Sequence, residues 1–170
     1  IDDYLQSLQM ISSIRPFILD DAERISQLSF RSNQFNLRTI RYSKDEIINI
    51  INSSDYLTFS VRLKDKFGDH GLVAIAIVKI NNKKQAFLDS LLMSCRVLKR
   101  GVEGFLMNKI IDNLRDLSVH LLIGEYLPTS KNGLVKNFLT DYQFQSFPEL
   151  GQNSVQVVKF KPIKTNINES

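Results

Sequence analysis

The chain has a single cysteine, Cys95, and no tryptophan in 170 residues. One thiol makes no internal disulfide, so packing alone must hold the fold; this predicts a reducing compartment, the cytoplasm. Histidine is as scarce: His70 and His120 lie far apart and give no metal-ligand spacing, so no metal site is expected. Four prolines and seven glycines exclude a collagen-like or low-complexity chain. No run approaches the ~18 consecutive apolar residues of a membrane span, so no membrane is expected. The opening IDDYLQSLQM is acidic and mixed, unlike a secretory leader, and the missing initiator Met suggests a trimmed piece. Charge of one sign is not in large excess either. A dispersed net +4 argues against nucleic acid and tolerates an acidic partner.

What is present reads as one α+β domain of alternating elements. YLQSLQMI is amphipathic and ends a helix over 1–10. IRPFIL is a short strand, and Asp20 or Asp21 caps a helix that runs to Asn33. Ser43 opens SKDEIINIIN, a capping box that leads into a helix. YLTFSVRL (56–63) alternates like a half-buried strand, LVAIAIVKI (72–80) belongs mid-sheet, and QAFLDSLLMSC follows as a third strand. Short connections make these three antiparallel. After Cys95 the period changes: Val102, Leu106, Ile110 and Leu114 mark a helix from near Gly101 to about Leu117. HLLIGEY (120–126) is then a strand parallel to the one before that helix. Leu134, Val135, Phe138 and Leu139 form one face of a second helix. Segments 144–147 and 155–160 close the sheet, and 163–170 is a polar, frayed tail. The expected architecture is a mixed, mostly antiparallel sheet with helices on both faces, its domain spanning 11–162.

This element order resembles the GNAT acyltransferase fold. There, the strand before the central helix splays from the next one, and the turn between strand and helix binds the pyrophosphate of coenzyme A. In SCRVLKRGVEGF the same chemistry is available, because unpaired N–H groups and the helix dipole at a helix start favour an anion. Gly101 lets the backbone approach a phosphate, and Lys99 or Arg100 adds charge. The pattern departs from the family at Leu98 and Glu103, and the usual catalytic Tyr falls at Leu139.

A closer resemblance covers about three quarters of the chain. ERISQLSFRSNQFNLRTIRYS, VRLKDKFGDHGLVAI, LLMSCRVLKRGVE and GEYLPTSKNGLVKNFL are similar to the C-terminal, GNAT-like portion of FkbH-like proteins. Such proteins join an upstream HAD-type phosphatase domain to this one. Characterised members load a glyceryl unit, from a phosphorylated three-carbon acid, onto an acyl carrier protein. The resemblance implies transfer of a small acyl group to or from a phosphopantetheine or coenzyme A thiol, with no tightly bound cofactor. It makes residues 1–10 the interdomain connection. The alternative is a non-catalytic docking module that holds a carrier protein beside the phosphatase.

The resemblance also distributes roles. Val97, Lys99, Arg100, Gly101, Val102 and Asn132 fall in the phosphopantetheine or coenzyme A site. Asn33, Gln34, Phe35, Asn36, Arg96 and Tyr126 border the acyl and acceptor cleft. Cys95 is a nucleophile activated by neighbouring cations and a helix start, or it is core packing. Alternation puts it with Phe87, Leu91 and Met93, with Asp89 on that face as a polar site residue or an edge residue. Glu125 ends its strand where a cleft would open and is either catalytic or structural. Asn132 is alternatively a helix cap, and His70 in its turn is an exposed residue before it is a base.

Overall fold

The computed structural model describes residues 9–119, 121–146, 154–157 and 168–169. In chain order the elements are β1 (Ile11–Arg15), α1 (Ala22–Arg31), β2 (Phe35–Asn36), α2 (Lys44–Ile51), β3 (Tyr56–Asp65), β4 (Gly68–Ile80) and β5 (Gln85–Met93), then α3 (Val102–Asp116), β6 (Leu121–Glu125), α4 (Phe138–Asp141), β7 (Gln145–Ser146), β8 (Ser154–Val157) and β9 (Asn168–Glu169). They build one sheet in the order β7-β8-β6-β5-β4-β3-β1-β9, with β2 laid against the end of β5. Among the described residues only β5/β6 and β1/β9 pair in parallel. The mixed, mostly antiparallel α+β arrangement is therefore the one expected.

The sheet carries a core on each face. β4 is buried from Leu72 to Val78, as its unbroken apolar run requires of a central strand. Ala22, Ile25 and Leu28 of α1 and Ile47 of α2 pack on Leu72, Ile75 and Ile77. On the opposite face α3 sends Val102, Phe105, Leu106, Ile110 and Leu114 against Val61, Leu63, Val73 and Leu91. The capping box of α2 is complete. Glu46 N–H donates to Ser43 Oγ at 3.3 Å. In return, Ser43 N–H donates to Glu46 Oε2 at 2.7 Å.

Four expectations need correction. The first strand is Ile11–Arg15, earlier than IRPFIL suggests. Pro16 has no N–H for a ladder, and Phe17 N–H donates to the Thr58 hydroxyl instead. Asp21 stands at the N-cap of α1, but its side chain makes no capping hydrogen bond; the carboxylate takes Arg15 and Arg62 instead, each at 2.7 Å. The second helix breaks into a 3₁₀ turn at Gly133–Val135 and the single turn of α4, leaving Leu134 exposed. Gly133 and Asn137 are weak helix formers at the break. In the tail, Asn168–Glu169 is not frayed but pairs with β1. Residues 1–8, His120 and Phe147 lie outside the described residues, as do 158–160 and most of the tail.

The strict alternation read along β5 also fails, for a geometric reason. Ile77 pairs with Ser90 but Val78 pairs with Leu88, so Asp89 is an extra residue, a β-bulge. Parity shifts there. Ala86, Leu88, Leu91 and Met93 share the α3 face, whereas Leu92 joins the α1 face. Phe87 is thus separated from Leu91 and Met93. Beyond Met93 the strand ends, and Cys95 stands exposed in a 3₁₀ turn, Cys95–Val97.

Candidate active site

β5 and β6 part company early. Parallel pairing covers only Gln85–Phe87 against Leu121–Ile123, although β5 continues to Met93 and β6 to Glu125. Two positions beyond the last pair, Asp89 and Glu125 flank the opening. Arg38 lies between them: Nε donates to Glu125 Oε1 at 3.0 Å, and Nη1 donates at 2.9 Å to both Asp89 Oδ1 and the Asp89 carbonyl. Its guanidinium sits 4.7 Å from the centre of the Phe87 ring, a cation–π contact. Tyr42 Oη donates to Asp89 Oδ2 at 2.7 Å. Burial, then the bond to Asp89 and that carboxylate's charge, push the Tyr42 phenol above its usual range, so it remains a donor.

Further along the fork the chain fills the gap with its own backbone. Phe35 and Asn36 pair with Met93 and Leu92 of β5. Leu37 N–H donates to Leu91 O at 3.3 Å, and Leu37 O accepts from Leu127 N–H at 2.9 Å. Asn132, fully buried, locks this bridge: Nδ2 donates to Asn36 O at 3.0 Å and to Leu127 O at 2.9 Å, while Oδ1 accepts from Thr129 N–H at 2.7 Å.

On the outer side of this bridge a cleft of about 540 Å³ opens, lined by Arg31, Asn33, Gln34, Phe35, Met93 and Cys95 with Ser130 and Lys131 among its other walls. Phe35 is buried and meets Phe138 edge-on at 5.4 Å, and Asn33 is held by the Arg41 guanidinium. Exposed Arg31 and Lys131 make the rim cationic, and Arg96, next to Cys95 in sequence, is exposed as well. A thiol on such a rim has what nucleophilic chemistry on a thioester needs: access and positive charge nearby.

The turn leading into α3 differs in its side chains from what the sequence suggests. Lys99 (φ 60°) and Gly101 (φ 81°) are both left-handed. Glycine adopts that conformation at no cost, and lysine does not. Arg100 is engaged elsewhere, its Nη1 2.6 Å from Asp65 Oδ2, and His70 Nε2 reaches the same oxygen at 2.8 Å. Glu103 occupies the first turn, its carboxyl raised above its usual range by burial. Tyr142, one turn beyond Leu139, is raised by burial and then by the charges of Glu103 and Asp141. Leu139 is buried against Gly124, where an added Cβ would stand 2.7 Å from Leu139 Cδ2.

The Asp65 network carries a pH prediction. Enclosure alone would raise this carboxyl, but the close approach of His70 and hydrogen bonds from the Phe67 N–H and Arg100 outweigh it and hold it below the usual carboxylate range. A depressed folded pKa contributes stability that is complete above the unfolded value, about 3.9, and is lost as pH falls through the folded one. Denaturant unfolding between pH 7 and pH 3 is expected to show a steeper loss for the wild type than for Asp65→Asn. Equal slopes would mean that the ion pairs do not couple to folding.

The structure brings Cys95, Asn33, Gln34 and Phe35 into one cleft and sets Asp89 and Glu125 apart from it, in the Arg38 cluster. Val97 and Val102 are wholly buried, so their side chains support the turn from beneath rather than meet a ligand. Asn36 and Asn132 spend their amides on backbone: Asn36 Nδ2 donates to Ser32 O, and its Oδ1 accepts from Thr39 N–H. Tyr126 Oη reaches Asn132 Oδ1 at 3.3 Å. Arg38, Tyr42 and Asp65 were not among the expected residues, and no local pattern marks them, since each acts on residues distant in sequence. Among the described residues no group of His, Cys, Asp and Glu is arranged for a metal ion, and no helix is long and apolar enough to cross a membrane.

No protein-family model matches the chain, and no curated protein matches it by sequence. Solved structures do match in shape. The PaiA N-acetyltransferase of Thermoplasma acidophilum, solved with coenzyme A, is 16% identical with a TM-score of 0.68, over 85% of this chain and 96% of its own. A spermidine N-acetyltransferase mutant of Vibrio cholerae is 17% identical with a TM-score of 0.61, over 88% and 94%. An acetyltransferase of the GNAT family from Staphylococcus aureus is 11% identical with a TM-score of 0.64, over 85% and 97%. At these identities the likeness is one of architecture, and the forked sheet described here has the GNAT acetyltransferase fold.

Proposed function

We propose that the chain is an acyltransferase domain acting on thioesters, with Cys95 as acyl acceptor. The observation that carries the reading is the exposed Cys95 on the cationic rim of a cleft at the fork, just before the start of α3. The thiolate attacks the thioester carbonyl, a tetrahedral intermediate forms, and its collapse breaks the original C–S bond, so that the thiolate of coenzyme A or of a carrier protein's phosphopantetheine leaves. Asn33 and Gln34 supply amide donors and acceptors for a hydroxylated acyl group such as glyceryl. An acidic carrier protein suits the Arg31 and Lys131 rim, with exposed Arg96 next to Cys95 in sequence. The FkbH-like resemblance favours that partner and an upstream phosphatase domain; the fold favours coenzyme A.

Docking without catalysis is the second reading. It is supported by Arg100 being paired with Asp65, by the Glu103 carboxyl at the helix start, and by Leu139 in place of a catalytic tyrosine. Intact-mass measurement after incubation with acyl-coenzyme A or an acyl-carrier protein separates the two. The expected result is one acyl adduct, lost in Cys95→Ser and mapped to Cys95 by peptide analysis. Carrier binding with no adduct on the wild type would leave the docking role standing.

A further inference from the structure

Resting on the thioester reading, we infer that Arg38 is a positioning residue for it: by bridging the two arms of the fork it fixes the cleft wall that faces Cys95. Arg38 does not line the cleft. It ends a segment whose earlier residues do, for Asn33, Gln34 and Phe35 form the wall and Arg38 fastens the segment to β5 through Asp89 and to β6 through Glu125.

Three features make this an anchor rather than a chance ion pair. The bulge at Asp89 inserts an extra residue where ladder pairing with β6 has stopped. Both carboxylates and the guanidinium are largely shielded, with side-chain exposures of 25%, 25% and 16%. Tyr42 and Phe87 fix the remaining degrees of freedom, one by holding the second Asp89 oxygen and the other by stacking under the guanidinium. A lysine at this place would keep the charge but lose the planar, two-armed geometry.

Disulfide capture tests this without knowledge of the acyl group. The Cys95 thiolate attacks one sulfur of coenzyme A disulfide; the protein–coenzyme A disulfide forms, the original S–S bond breaks and coenzyme A thiolate leaves. Glutathione disulfide reports the same chemistry without the pantetheine arm, and iodoacetamide reports plain access. Capture of coenzyme A is expected to exceed that of glutathione about tenfold in the wild type, as oriented binding requires. In Arg38→Lys the ratio should fall close to unity while the iodoacetamide rate stays unchanged. A ratio preserved in Arg38→Lys would overturn the assignment and leave the thioester site intact. A wild-type ratio of one would remove the site itself, and the assignment with it. Should Arg38→Lys fail to fold, the charge-free set Arg38→Met, Asp89→Asn and Glu125→Gln serves in its place. A high ratio in that set would reduce Arg38 to a counter-ion.

Discussion

Arg38→Met is expected to lower the unfolding free energy by about 3 kcal/mol, at the modest end of what breaking a shielded ion pair costs. The methionine fills much of the same volume, so little of the loss comes from a cavity. It comes from Asp89 and Glu125, left at the fork without the cation that separates them. Urea unfolding should show a lower midpoint with an unchanged slope. Adding Asp89→Asn and Glu125→Gln should return most of the loss, because a shielded triad replaced as a whole is often near neutral. A loss below about 1 kcal/mol for Arg38→Met would mean that water already screens the two carboxylates.

Asn132→Ala is expected to cost a similar amount, about 3 kcal/mol, for a different reason. One buried amide serves the Asn36 and Leu127 carbonyls and the Thr129 N–H. Each polar group stranded in the interior costs about 1–3 kcal/mol, and water can reach only part of this set. Asn132→Asp should be no better, since a carboxylate cannot donate to two carbonyls. Hydrogen exchange distinguishes this loss from a general one: the amides of Leu127 and Thr129 should open first, while β4 keeps its protection. Uniform acceleration across the sheet would argue that Asn132 supports the whole fold rather than the fork.

Much of the fold was legible because it is written in local patterns. The capping box at Ser43, the apolar run of β4 and the four-residue spacing of α3 each state their structure within a dozen residues. Cys95 was less legible: alternation allowed a place in the core, and the structure leaves it exposed in a turn after β5. The fork was not legible. Arg38 reaches Asp89 and Glu125 over 51 and 87 residues of sequence, and Asp65 meets Arg100 across the two intervening strands β4 and β5. Those encounters depend on register, and register at β5 depends on a bulge that alternation cannot foresee. Arg100 looked available for a phosphate because its partner lies on a strand that the sequence keeps far away.

The bulge at Asp89 also changes what kind of mutation the chain can tolerate. Deleting Asp89 would take out the extra residue and leave a regular ladder, with Leu88 still opposite Val78 and Ser90 still opposite Ile77. Leu91 and Met93 would keep the α3 face and Leu92 the α1 face. What the deletion removes is the carboxylate and the carbonyl that receive Arg38. The sheet can spare this residue, and the fork cannot. Deletion of Asp89 should free Arg38 from β5 while the two faces of the sheet stay packed as before.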